Sequence, residues 1–177
     1  STWVAGTYDS GDAFATVPIA PAAPPGESRL YLARIASDGS IAAALGTSVP
    51  FTFEVQTEDI LAAAPDGLVV VLGNLITKFD FDGAIVWQTP APVFSLYHTA
   101  AVRADGSILA VGGERRLPDP PFDPEAPPWF GEWLFVQHLG SNGVPSRKTT
   151  IGARSYDGVL RVAAHPSGGF TIGGHEL

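Results

Sequence analysis

The sequence predicts an all-β chain built from a repeated unit of four short antiparallel strands. Three observations carry that expectation. Short apolar runs rich in Val, Ile, Leu and Phe alternate with Gly, Pro, Asp and Ser clusters along the whole chain. The turn signals fall at matching places in successive units. No stretch keeps a helical period with caps at its ends, so almost no helix is expected.

Residues 61–90, LAAAPDGLVVVLGNLITKFDFDGAIVWQTP, hold one whole unit, and its strands are here lettered a to d. The apolar run 61–64 (a) ends at Pro65-Asp66-Gly67, where Pro presets φ, Asp caps its own backbone and Gly is expected to take a positive φ. Residues 68–72 (b) are continuous and β-branched, as in a strand covered on both faces. Residues 75–81 (c) alternate, with Ile76, Lys78 and Asp80 on one side. Asp82-Gly83 is a strong hairpin signal, and 84–88 (d) carries Trp87.

In chain order, 2–7 reads as a b strand ending in Val4-Ala5-Gly6, followed by a long link through Pro18, Pro21, Pro24 and Pro25. Residues 29–36 (c) and 41–46 (d) flank Asp38-Gly39. The complete unit follows, led in by 51–53. The next runs through a at 98–103, Asp105-Gly106, b at 108–112, c at 134–139, Asn142-Gly143 and d at 144–150. Residues 160–165 and 170–173 are a further a and b. The expected division is thus 1–49 (b, c, d), 50–92 (complete), 93–152 (complete, with a b–c insertion at 114–133) and 153–177 (a, b).

The Gly39 to Gly83 spacing lies in the range of roughly 40–50 residues that marks a four-stranded propeller blade. Gly83 to Gly143 is longer by a proline-rich insertion. The expected fold is therefore a partial β-propeller of about three four-stranded blades plus one extra strand, not closed on its own. Unpaired edges at both sides would invite association, so the partner expected first is the remainder of the propeller, in another fragment or chain.

ITKFDFDGAIVWQ and TAAVRADGSILAVGGE resemble the delta-sixty-type propeller repeats of large bacterial surface proteins, whose consensus has a PDG turn, a VVxG strand and an LxxDG hairpin. That resemblance implies an extracellular or cell-envelope location and no particular activity. FDFDGAIVWQ is also similar to a blade of the pyrroloquinoline-quinone-type propellers, whose tryptophan docking motif recurs in every blade. The positions matching Trp87 are Ala43 and Ser146 or Arg147, and no cofactor is expected.

Composition narrows the function. A net charge of −8 with two lysines, Lys78 and Lys148, argues against nucleic acid or an anionic membrane surface. There is no cysteine, which excludes disulfides, thiolate nucleophiles and Cys-based metal sites. No apolar run is long enough for a membrane-spanning helix. With no methionine, Ser1 is expected to be a processed end or a fragment boundary. No GxSxG elbow, HExxH pair or phosphate-cradling glycine loop occurs, so no catalytic residue is assigned.

Both long insertions are b–c connections, expected to rise from one loop face and to hold most of the 16 prolines. The second presents Asp119, Asp123, Glu125, Trp129, Phe130 and Trp133, acids beside aromatics that suit a glycan or protein ligand. The first opens with Tyr8, a further ligand candidate, and with Asp9 and Asp12. Those two acids are weak calcium candidates, for which turn capping is the competing reading. Arg34, Lys78 and His138 each stand five residues before a turn glycine. They would form either a cationic ring or a solvated strand face with cross-strand partners. His98, His165 and His175 sit near strand ends without metal-ligand spacing.

The function expected is a non-catalytic extracellular or envelope interaction scaffold, part of a larger β-propeller, that contacts a protein or glycan through its long b–c loops. Two alternatives stand: an enzyme with its site in the propeller channel, and a structural repeat of a surface assembly.

Overall fold

The computed structural model describes residues 1–50, 61–116, 131–153, 161–165, 167 and 169–173. Its strands are β1 (Thr2–Tyr8), β2 (Ala13–Phe14), β3 (Val17–Pro18), β4 (Arg29–Ile35), β5 (Ile41–Pro50), β6 (Leu61–Ala64), β7 (Gly67–Leu72) and β8 (Leu75–Phe79). They continue as β9 (Ile85–Pro90), β10 (Ser95–Val102), β11 (Ile108–Arg116), β12 (Gly131–Leu139), β13 (Pro145–Ala153), β14 (Arg161–Ala164) and β15 (Phe170–Gly173). The chain is all-β. The main sheets run β1-β4-β5, β6-β7-β8-β9, β10-β11-β12-β13 and β14-β15, with β2-β3 as a minor hairpin. This is the expected order of strands, and β2 and β3 are an addition to it.

Among the fully described segments, one five-residue turn is used at 36–40, 80–84, 103–107 and 140–144. In each, the first amide bonds the last carbonyl at 2.8–3.0 Å, and the glycine amide bonds the first carbonyl. Gly39, Gly83, Gly106 and Gly143 all have φ between 77° and 85°, the left-handed region that only glycine enters without cost. A side chain of the turn braces it: Asp38 Oδ1 accepts from the Ser40 amide and hydroxyl, Asp105 Oδ1 does the same with Ser107, and Asp80 Oδ1 accepts from the Asp82 and Ala84 amides. The hydroxyl bonds, then the amides, hold the Asp38 and Asp105 carboxyls below the usual carboxylate range. The Pro65-Asp66 turn differs. Gly67 already pairs with Ala64 as the first residue of β7, so the positive φ expected there is absent, because two residues suffice to close this hairpin.

Two compact units divide the chain. In the larger (Thr57–Lys78 with Val86–Leu177), Val69, Val71 and Ile76 of the second sheet pack on Tyr97, Ile108, Ala110, Phe135 and Leu139 of the third. Each such side chain contributes about 1.5–3 kcal/mol when fully buried. Alternation along β11 turns Leu109 and Val111 the other way, where they meet Val136, Val162, Phe170 and Ile172. The indole of Trp87 lies directly on Gly143, so a Cβ at that position would strike the ring. Its Nε1 donates to the Ser141 carbonyl at 3.0 Å, and Thr89 Oγ1 donates to the Gly143 carbonyl at 2.7 Å.

In the smaller unit (Ser1–Gln56 with Phe79–Ile85), the β1-β4-β5 sheet is covered on two sides. Against one, Phe81 stacks on Trp3 at 6.2 Å and Gly83 lies on Leu45. Against the other lies the β1–β4 connection, where Phe14, Val17, Ile19 and Ala23 cluster with Tyr8, Tyr31 and Ala44. Gly46 is the point of closest approach. Its amide donates to the Ala20 carbonyl at 2.8 Å, and a side chain there would collide with the Tyr8 hydroxyl and the Pro21 carbonyl.

Gly46→Ala is expected to lose about 1–3 kcal/mol by overpacking. Gly173→Ala, where the added Cβ meets nothing, is expected to stay within about 0.5 kcal/mol of the parent. Urea unfolding midpoints of the two variants check the contrast.

Candidate functional site

The two b–c connections turn out to be built differently. The second is an extended hairpin at its base, because β11 and β12 keep pairing through Glu114↔Trp133 and Arg115↔Glu132 to Arg116↔Gly131. The insertion expected at 114–133 is shortened accordingly. Continuing the ladder satisfies backbone groups that a loop would leave to water. Trp133 is therefore a half-buried strand residue of β12. Lys148 braces this base, reaching Glu114 at 2.7 Å while its ammonium lies 4.9 Å from the centre of the Phe135 ring. Asp119, Asp123, Glu125, Trp129 and Phe130 lie outside the described residues.

The first connection does not stand free. Tyr8 is 2% exposed, and its hydroxyl donates to the Pro21 carbonyl at 2.8 Å. Burial raises its pKa, with Arg29 opposing. Its atoms fasten the connection to the sheet. Asp12 Oδ2 accepts from the Asp9 amide at 2.8 Å, and Asp9 Oδ1 accepts from Ser28 Oγ at 2.6 Å. Asp12 thus makes a turn-capping bond, and Asp9 ties the turn to the far end of the connection. Among the described residues, no three His, Asp or Glu side chains gather as a metal-binding group.

The three basic positions each have a local partner. Arg34 lies 5.8 Å from the Trp3 ring centre, its neighbour across the ladder. His138 meets the edge of Phe170 at 6.2 Å, and burial, then Arg103 and Arg147, lowers its pKa. Lys78 departs most from a solvated strand face: it is 4% exposed, and its ammonium reaches Asp66 at 2.6 Å. Strand c of this unit is covered on both sides, so the lysine stem is packed and its charge is delivered to the turn at the surface. His165 Nε2 lies 2.8 Å from Thr171 Oγ1, a contact across the β14–β15 ladder. His98 lies on β10, and His175 is outside the described residues.

A feature that the sequence reading passed over is the β9–β10 connection. Val93 and Phe94 are each 79% exposed, and Phe94 holds φ at 60°. A bulky residue in the left-handed region is strained, and such strain clusters at sites of binding. The next residue, Ser95, pairs with Glu114, so this apolar tip adjoins the base of the second insertion. An apolar pair following Pro92 was the available signal. It carries no mark of exposure. Chemically the tip can offer an apolar anchor beside a carboxylate–ammonium pair.

No family model and no curated protein matches the chain. Among solved structures it is similar to a Bacteroides caccae protein of unknown function, at 15% identity and a TM-score of 0.49. The match covers 83% of this chain and 54% of that one, so the chain spans about half the length of the protein it matches. A likeness of this size carries no argument about function.

The Lys78 hydrogen bond holds the Asp66 carboxyl below its ordinary value of 3.8. The stability it contributes is therefore present above that value and lost as pH falls through the lower folded-state value. Asp66→Asn is expected to be less stable than the parent at pH 7, with the gap closing under acid. Urea midpoints at pH 7 and below pH 3 check this, and a gap that stays constant with pH would contradict it.

Proposed function

We infer that the chain is a non-catalytic interaction scaffold, made of propeller-type blades that belong to a larger β-propeller. The reading places it outside the cell or in the cell envelope, with the remainder of the propeller in another fragment or chain. A protein or glycan ligand would be held at the end of the blades where the b–c insertion and the Val93–Phe94 tip emerge. The observation that carries this reading is the tip itself. Two large apolar side chains stand in solvent on a strained turn, next to an ordered insertion base. Aromatic side chains in such positions supply most of the binding energy when a partner desolvates them. Further support comes from the four-strand sheets with their shared turn, and from the acidic, lysine-poor composition, which disfavours nucleic acid.

The direct test is the mass of the protein purified from its source, measured under native and then denaturing conditions. A second polypeptide that leaves only on denaturation is the expected result. A chain that persists as a soluble monomer under both conditions would contradict the scaffold's dependence on further blades.

A further inference from the structure

The β1–β4 connection, residues 9–28, occupies a surface that another sheet of this chain uses for stacking. The equivalence follows from register. Tyr31 and Phe135 stand at the same distance before their turn glycines, Gly39 and Gly143, and each faces a glycine across its ladder: Gly6↔Tyr31 and Gly112↔Phe135. In both cases the ring fills the space above that glycine, where a Cβ would strike it. The two rings therefore mark the same face of two sheets. On the third sheet that face is packed by Val69, Val71 and Ile76, side chains of the preceding sheet. On the first sheet the same place is taken by Phe14, Val17, Ile19 and Ala23 of the sheet's own connection.

The occupation extends beyond apolar contact. Phe14 lies 5.5 Å from Tyr31. Ala20 forms a parallel bridge to Leu45 on the outer strand β5, and the Gly46 amide donates to the Ala20 carbonyl. The same segment thus covers a sheet face and part of a strand edge, the two surfaces by which β-sheets associate.

We propose that residues 9–28 are a built-in cap that stands in for a neighbouring blade, closing the Tyr31 face of the first sheet to sheet-on-sheet contact. Any neighbour on that side meets the cap and not the sheet. Removing the cap exposes a surface that a second copy of this chain can occupy. The inference rests on the register equivalence of two sheets, and it does not depend on location, ligand or the Val93–Phe94 tip.

The chain has no cysteine, so a single Ala44→Cys substitution, at a position 7% exposed under the cap, is a clean reporter. Its reaction with a maleimide is measured with and without Ile19→Asp, and sedimentation of the same proteins gives their mass. The expected result is faster labelling with Ile19→Asp, on the order of tenfold, together with concentration-dependent self-association that the parent lacks. Phe14→Ser gives the same reading should Ile19→Asp fail to fold. Equal labelling rates would overturn the proposal, since the segment would then not cover the face. Fast labelling without association would overturn the stacking role. A parent that associates, and associates less with Ile19→Asp, would make the segment a contact instead of a cap. None of these outcomes bears on whether a second polypeptide accompanies the native protein.

Discussion

A turn glycine lying under an apolar side chain is the contact on which the rest of this structure depends. Trp87 rests on Gly143, and Leu45 rests on Gly83. The glycine is needed twice over. It supplies the positive φ that closes the five-residue turn, and it leaves the space that the apolar side chain fills. The turn carbonyls at the larger contact are satisfied by Trp87 Nε1 and Thr89 Oγ1, so no polar group is stranded beneath the indole. Sheets of three or four short strands need a packed hydrophobic face to be stable. Two of the four turns, at Gly83 and Gly143, supply apolar contact of this kind at a hairpin tip.

Close packing of this kind makes polar groups conspicuous, and several have an answer within reach. The Tyr97 hydroxyl, buried between the second and third sheets, donates to Gln137 Oε1 at 2.7 Å, and burial pushes its pKa up to about 12. It remains a neutral donor across the ordinary pH range. Lys78 is threaded through the packed sheet to Asp66, and Gln88 Nε2 donates to Thr77 Oγ1. Among the described residues, Val93 and Phe94 are the most exposed large apolar side chains. That exposure is what gives the tip its functional weight.

Much of this architecture was legible in the sequence, because β-hairpins announce themselves locally. Asp38-Gly39, Asp82-Gly83, Asp105-Gly106 and Asn142-Gly143 located four turns, and the strands between them followed. What stayed hidden depends on contacts distant in sequence. Lys78 reads as a surface residue because nothing nearby reveals that strand c is covered on both sides. Trp87 looked isolated, since Ala43 stands at its place in the first sheet. The equivalent contact is made there by Leu45, one pleat further on. The ladder beyond Val111 crosses two glycines and two arginines, which weakens any strand signal, and the packing of residues 9–28 depends on a sheet face that forms only on folding. The site fared less well than the fold: five of the second insertion's six candidates fall outside the described residues, and Tyr8 is an internal fastening.

The most direct test of the account is a double-mutant cycle on Trp87→Ala and Gly143→Ala, read as unfolding free energies in urea. If the indole occupies the space that a Cβ at position 143 would need, the cost of Gly143→Ala falls when Trp87→Ala is also present. Only the strain of a positive φ then remains, about 1 kcal/mol. A coupling energy of about 1 kcal/mol or more between the two sites is the expected result. Additivity within about 0.5 kcal/mol would mean that the two residues do not meet, and that the sheets are joined by some other contact.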